Sequence, residues 1–179
     1  VDKPARGQHT PDVVAAAGEL WAHGIDVMPG KPAVLGTAEG KPVIGFPGYP
    51  VSAIVIAREI LKPGLEKFLG CAAPSYPRVR AVVPKKLASH LGLEEFIRVT
   101  LGRVGEKLVA VSLARGAGVI TTMVHADGLL RIPSFIEGLN AGEEIEVELL
   151  RPEEEIENTI LCTGSHDFAI GVLEDQLKL

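Results

Sequence analysis

The hydrophobic period changes at residues 70–77 (GCAAPSYP), and no single class of element accommodates both sides of that change. Beyond it the period is two. Val79, Ala81 and Val83 alternate with Arg78 and Arg80. Ile97, Val99 and Leu101 alternate with Phe96, Arg98 and Thr100, and Ile145, Val147 and Leu149 with Glu144, Glu146 and Glu148. Strict alternation predicts strands with one face on a core and one in water. GRVGEK (102–107) predicts a hairpin turn between a strand ending at Leu101 and one starting near Leu108. Several such strands within about 75 residues predict a small barrel or sandwich.

Before the change, helical and strand patterns alternate. Thr10 and Pro11 predict a helix start, the hydroxyl as N-cap and the proline at the first helical position, with Asp12 favourable in the first turn. Val13, Ala16, Ala17, Leu20 and Trp21 then recur at helical spacing as far as a stop at Gly24. AVLG (33–36) and PVIGF (42–46) are short strand runs around a turn-like TAEGK. Val51 to Leu69 predicts a long helix that Pro63 kinks or divides. After the second half, RPEEEIE (151–157) reads as a solvated charge run, NTILC (158–162) as a buried strand, and Phe168 to Leu179 as a helix. The expected architecture is an α/β unit over 1–72, a small all-β barrel-like unit over 73–151, and a truncated α/β tail over 152–179.

Composition narrows the function classes. With 46% hydrophobic residues a core can form, and a net charge of −5 argues against nucleic acid as a partner. No apolar run approaches the roughly 20 residues that span a bilayer, and no signal peptide opens the chain. Cys71 and Cys162 lie too far apart for a zinc site and form no disulfide framework, which fits a reducing, cytoplasmic setting. The chain begins at Val1, not Met, as a piece of something longer would.

Two stretches suggest an anion site. In MPGKP (28–32) two prolines stiffen a loop, Gly30 permits an unusual turn, and Lys31 is a fixed ammonium. Taken alone, that stretch reads more simply as a surface turn with a solvated lysine. In GFPGYPVSA (45–53), Gly48 lets the backbone approach a partner, while Pro47 and Pro50 remove freedom. Pro50 or Val51 opens a helix whose first amides carry positive potential, and Ser52 adds a hydroxyl. A tight strand-to-helix connection is the alternative. The tail loop TGSHD (163–167) is not a catalytic triad, because consecutive side chains diverge. Gly164, Ser165 and His166 fit a ligand-capping loop or a polar turn. Asp127-Gly128 predicts a turn, and Arg115 beside two glycines could meet a phosphate.

MPGKPAVLG, then GKPVIGFPGYPVSA, then a β module with RGAGVITTMVHADGLLRIP and LNAGEEIEVELL resembles the C-terminal part of the MoeA/gephyrin-type molybdopterin molybdenumtransferases. The resemblance covers residues 1–150, and the tail resembles the start of a fused periplasmic-binding-protein-like domain. It implies a partial three-layer molybdopterin-binding domain followed by the β domain. It also implies insertion of molybdate or tungstate into adenylylated molybdopterin with release of AMP, Mg²⁺ as cofactor, and a homodimeric parent. Carried over, Lys31 is the catalytic candidate, contacting phosphate or molybdate; Gly30, Pro32, Pro47, Gly48, Tyr49, Pro50 and Ser52 bind substrate. The sequence departs from the family where Thr10 replaces an acidic residue, Met28 a second lysine, and Tyr49 the commoner asparagine. Asp12 is left as the candidate metal ligand. The fragment is expected to be inactive alone. A non-catalytic pterin- or oxyanion-binding module is the other reading.

Overall fold

The structure, a computed structural model, describes residues 9–157 together with Val172 and Gln176. The expected tail strand (158–162), the TGSHD loop with Gly164, Ser165 and His166, and most of the expected final helix lie outside the described residues. The fold is mixed α/β, with several sheets and few helices.

α1 (Thr10–Ala17) is shorter than its sequence pattern predicts, and Thr10 lies inside it rather than capping it: His9 is the N-cap. At Gly18 the chain turns extended and becomes β1 (Gly18–His23), which pairs antiparallel with β3. A Cβ at Gly18 would lie 2.2 Å from the carbonyl oxygen of Thr37, so the absence of a side chain permits the pairing. Ladder bonds to β3 then satisfy a backbone that a helix would have satisfied internally. The register shifts between Leu20 and Ala22, and Trp21 faces outward.

β2 (Val27–Met28) is followed by β3 (Val34–Ala38) and β4 (Lys41–Gly45), a hairpin around Glu39 and Gly40. Both turn residues have positive φ, which matches the twist of the flanking strands. The sheet order is β1-β3-β4, and α1 lies on it through buried Val14.

The predicted long helix forms as α2 (Pro50–Ile56), a π segment (Ala57–Leu61) and α3 (Lys62–Leu69), ending at left-handed Gly70. Pro63 has no N–H to return to the preceding turn, and the wider π turn just before it is where the ladder is re-registered. α2 buries Val51, Val55 and Ile56, whereas α3 buries no residue.

The second half contains β5 (Arg78–Val82), β6 (Leu87–Ala88), β7 (Glu94–Val104), β8 (Lys107–Ser112), α4 (Thr121–Val124), β9 (Gly128–Ile132), β10 (Gly138–Leu139), β11 (Glu144–Leu149) and α5 (Glu153–Glu157). The main sheet runs β2-β7-β8-β5-β11-β9, and β9 also pairs with β7, so β7, β8, β5, β11 and β9 close on themselves. The seam is narrowest between β5 and β8, which meet in parallel at one pair, Val82 opposite Val109. Ala81, Ile97, Val99, Leu101, Leu130, Ile132, Val147 and Leu149 fill the interior. The β7–β8 turn is tighter than predicted, because the strands run on to Val104 and Lys107 around Gly105 and Glu106.

Two expectations are corrected here. Asp127-Gly128 is not a turn. Asp127 is 6% exposed and its carboxylate accepts the Leu101 amide at 2.8 Å, while Gly128 begins β9 where a Cβ would meet Val147 Cγ1 at 2.4 Å. Residues 151–157 are not merely a solvated run, since α5 buries Ile156 against the ring's core. The ring also takes in a strand from the first half: β2 pairs parallel with β7, Val27 opposite Glu94 and Met28 opposite Glu95. Among the described residues no helix is long and apolar enough to cross a membrane.

Candidate functional site

The antiparallel register around β3 brings the two loops together. Val34 opens β3 and pairs with His23 at the end of β1 and with Gly45 at the end of β4. The chain entering β3 (28–33) and the chain leaving β4 (46–49) therefore lie side by side. A cleft of about 590 Å³ opens there, walled by His23, Pro32, Phe46, Pro47, Gly48 and Tyr49, with Thr10 and Pro11 of α1 at its edge.

Met28-Pro29 is a cis peptide, and Gly30 follows at φ +143°. A Cβ on Gly30 would lie 2.8 Å from Ile56 Cδ1, so glycine is required both by the dihedral and by the contact with α2. The Ile25 amide donates to the Lys31 carbonyl at 2.9 Å, and the Ala33 amide to the Gly30 carbonyl at 3.1 Å. The Lys31 backbone is thus fixed, while its side chain is exposed and makes no hydrogen bond or ion pair among the described residues.

In the second loop Pro47 is buried, Gly48 is open and Tyr49 is exposed. Pro50 opens α2 and carries no N–H. The Val51 amide donates to the Ala117 carbonyl at 3.2 Å, from the RGAG loop of the second half. The helix mouth thus presents fewer amide donors than the sequence suggests. Ser52 is 3% exposed. The cleft wall takes Pro32 but not Lys31, and Tyr49 but not Ser52. The two loops share one cleft, with the candidate ammonium and hydroxyl just outside its lining.

Sequence reasoning missed His23, which the unexpected strand β1 brings to the cleft, and the loop at 114–120, which covers the start of α2. Only long-range pairing places either one. Arg115 is not free for a phosphate: it donates to the Ala88 carbonyl at 2.8 Å and pairs with buried Glu95 at 3.1 Å. Burial pulls the Arg98 guanidinium down from its usual value, and the Glu95 charge partly offsets this. A side-chain hydrogen bond from Arg131 to Glu94 raises Arg131.

The described residues do not form a divalent-ion site. Asp12 is a lone exposed carboxylate in α1, and no group of three or more His, Cys, Asp or Glu side chains among them is placed to hold a metal.

Residues 4–67 match the family model described as "Probable molybdopterin binding domain", and residues 80–150 match "MoeA C-terminal region (domain IV)". The order and boundary of these matches follow the change of period at 70–77. The chain belongs to the MoeA family. Molybdopterin molybdenumtransferase 2 of Mycobacterium tuberculosis is 28% identical over 130 residues, which are 70% of this chain and 32% of that protein. The molybdopterin biosynthesis MoeA protein of Pyrococcus horikosii is a structural neighbour at 35% identity and a TM-score of 0.62, covering 79% of this chain and 34% of the other. A molybdenum cofactor biosynthesis protein of Pyrococcus furiosus matches at 32% identity and TM-score 0.61, covering 74% and 46%. The chain thus spans about a third of the length of the curated MoeA relatives it matches.

Proposed function

We propose that this chain supplies one wall of the substrate site of a molybdopterin molybdenumtransferase. In that reading the parent enzyme inserts molybdate or tungstate into adenylylated molybdopterin and releases AMP in molybdenum cofactor biosynthesis. The supporting observation is the cleft that joins the PGKP and PGYPVS loops within the segment matching a molybdopterin-binding model. A rigid wall suits this substrate. Pro32, Pro47 and Pro50 lose little freedom on binding, and open Gly48 lets backbone approach a flat pterin or a phosphate.

Lys31 supplies the charge in this reading. Its carbonyl accepts the Ile25 amide while its ammonium remains free to reach a phosphate or metal oxyanion at the cleft edge. Tyr49 offers an exposed ring beside Gly118 for stacking. Ser52 and Gly30 shape the wall from behind, by packing. The described residues make no site for Mg²⁺. The remaining groups come from outside these residues, from the rest of a homodimeric parent, so this chain alone does not complete the reaction.

Titration calorimetry with adenylylated molybdopterin, molybdate and tungstate tests the reading. Binding of the pterin, weakened about tenfold in Lys31→Ala as expected for loss of one charge-assisted contact, supports it. Binding of the oxyanions alone would favour a non-catalytic oxyanion module, and cofactor formation by the isolated chain would overturn the claim of inactivity.

A further inference from the structure

His23 ends β1, and the pairing around β3 decides what it faces. β1 and β4 flank β3 and are both antiparallel to it, so they run in the same direction and finish at one edge of the sheet. Val34 lies between their last residues, opposite His23 on one side and Gly45 on the other. Strands that end together release their loops together, and open α/β sheets seat ligands at such carboxyl edges. The cleft of about 590 Å³ opens at this edge, with His23 in its wall.

Of the residues walling the cleft, His23 alone can carry a positive charge, and none is a carboxylate. Tyr49 is the other ionisable side chain there. Around the wall, α1 begins after His9 and carries Asp12, β1 carries Glu19, and the loop after β1 holds Asp26 and Lys31. β3 has no ionisable residue, and Lys41 stands at the far end of β4. None of these groups pairs with His23, which is exposed and makes no side-chain hydrogen bond or ion pair among the described residues. Both ring nitrogens of a protonated imidazole donate. A histidine ordinarily changes charge between pH 5 and 8, so a wall with this one cation gains its charge by taking up a proton.

We propose that His23 is a ligand-binding residue of this cleft: its protonated imidazole donates to a tetrahedral oxyanion, and binding is thereby coupled to proton uptake. That oxyanion is a phosphoryl group of the substrate or a free anion, negative oxygens meeting a cationic donor in both cases. The phosphoryl assignment rests on the proposed pterin site, and the free-anion assignment does not. Lys31 offers a charge that is constant over this pH range, outside the cleft lining. The dependence of affinity on pH therefore falls to His23.

Titration calorimetry of this chain with adenylylated molybdopterin, at about pH 5.5 and about pH 8, tests the proposal. Wild type should bind about tenfold more tightly than His23→Gln at the lower pH, the scale of one partly exposed charge-assisted hydrogen bond, and no more tightly at the higher. The ligand's own ionisations are common to both proteins and cancel in that ratio. Heats in buffers of different ionisation enthalpy should show proton uptake in wild type that His23→Gln lacks. His23→Lys should hold the wild-type low-pH affinity at both values, which separates charge from shape. Lys31→Ala should weaken binding at both values and leave the contrast between them intact. His9→Gln, at the head of α1 and outside the lining, should change nothing. A wild-type to His23→Gln ratio that does not vary with pH overturns the proposal, as does His23→Lys behaving like His23→Gln. Sulfate, doubly charged throughout this range, is the second probe, followed through the imidazole NMR signals of His23. If the pterin compound does not bind but sulfate moves those signals at about pH 5.5 and not at about pH 8, the pterin site fails and His23 stands as a free-anion site. If neither probe reports on His23, the proposal fails as well.

Discussion

The two halves of the chain bury their apolar residues very differently. The closed strands of the second half enclose eight or more fully interior side chains, Leu101, Leu130 and Ile132 among them. The first half has a three-stranded sheet, the two short helices α1 and α2, and α3, whose Leu65, Phe68 and Leu69 are 46%, 80% and 66% exposed. Its buried set, chiefly Val14, Ala33, Val34, Val51, Val55 and Ile56, is small. The ring holds the larger of the two cores. The cleft-bearing half takes part of its definition from docking on that body, through β2 and the Ala117 carbonyl.

Substitutions can break or sharpen this contrast. The largest effect should come from the ring: Leu130→Ala, 1% exposed, is expected to cost about 3 kcal/mol in urea unfolding, from lost burial plus a residual cavity. Next is Asp127→Ala, which strands the buried Leu101 amide. About 2 kcal/mol should be lost in the same measurement, with Asp127→Asn recovering part through its carbonyl oxygen. Gly30→Ala should cost about 1 to 2 kcal/mol from its positive φ, and exchange should report the damage around α2 rather than in the ring. Leu65→Ala on α3 should be smallest, within about 0.5 kcal/mol. A Leu65 penalty near that of Leu130 would show that the two halves share one core and erase the comparison.

What the sequence disclosed follows a different division, local pattern against long-range contact. The strands at 78–82, 94–104 and 144–149, the 39–40 turn and the 50–69 helical run were legible because each rests on local periodicity or turn chemistry. β1 was not. Val13, Ala16, Ala17 and Leu20 carry a sound helical pattern, and what redirects the chain is contact between Gly18 and Thr37, nineteen positions away by number. Asp127 and Ile156 were misread for a similar reason. A polar residue before glycine and an apolar residue amid glutamates look exposed until the Leu101 amide and the ring interior are placed beside them. At the site, the loops were visible from their prolines and glycines. That Lys31 and Ser52 fall outside the cleft lining, and that Ala117 occupies the Val51 amide, depends on tertiary approach alone.

The pairing of β2 with β7 has a consequence for how the chain comes apart. The link between the halves, residues 71–77, is exposed, although Tyr76 rests under Arg58 at 4.0 Å and Lys62 at 4.6 Å. Cutting that link severs the covalent route but leaves a strand of one piece stitched into the sheet of the other, with Arg58 still joined to Glu148. The nicked halves should travel together through gel filtration as a split pair, and the cleft should outlast the peptide bond that once connected its two supports.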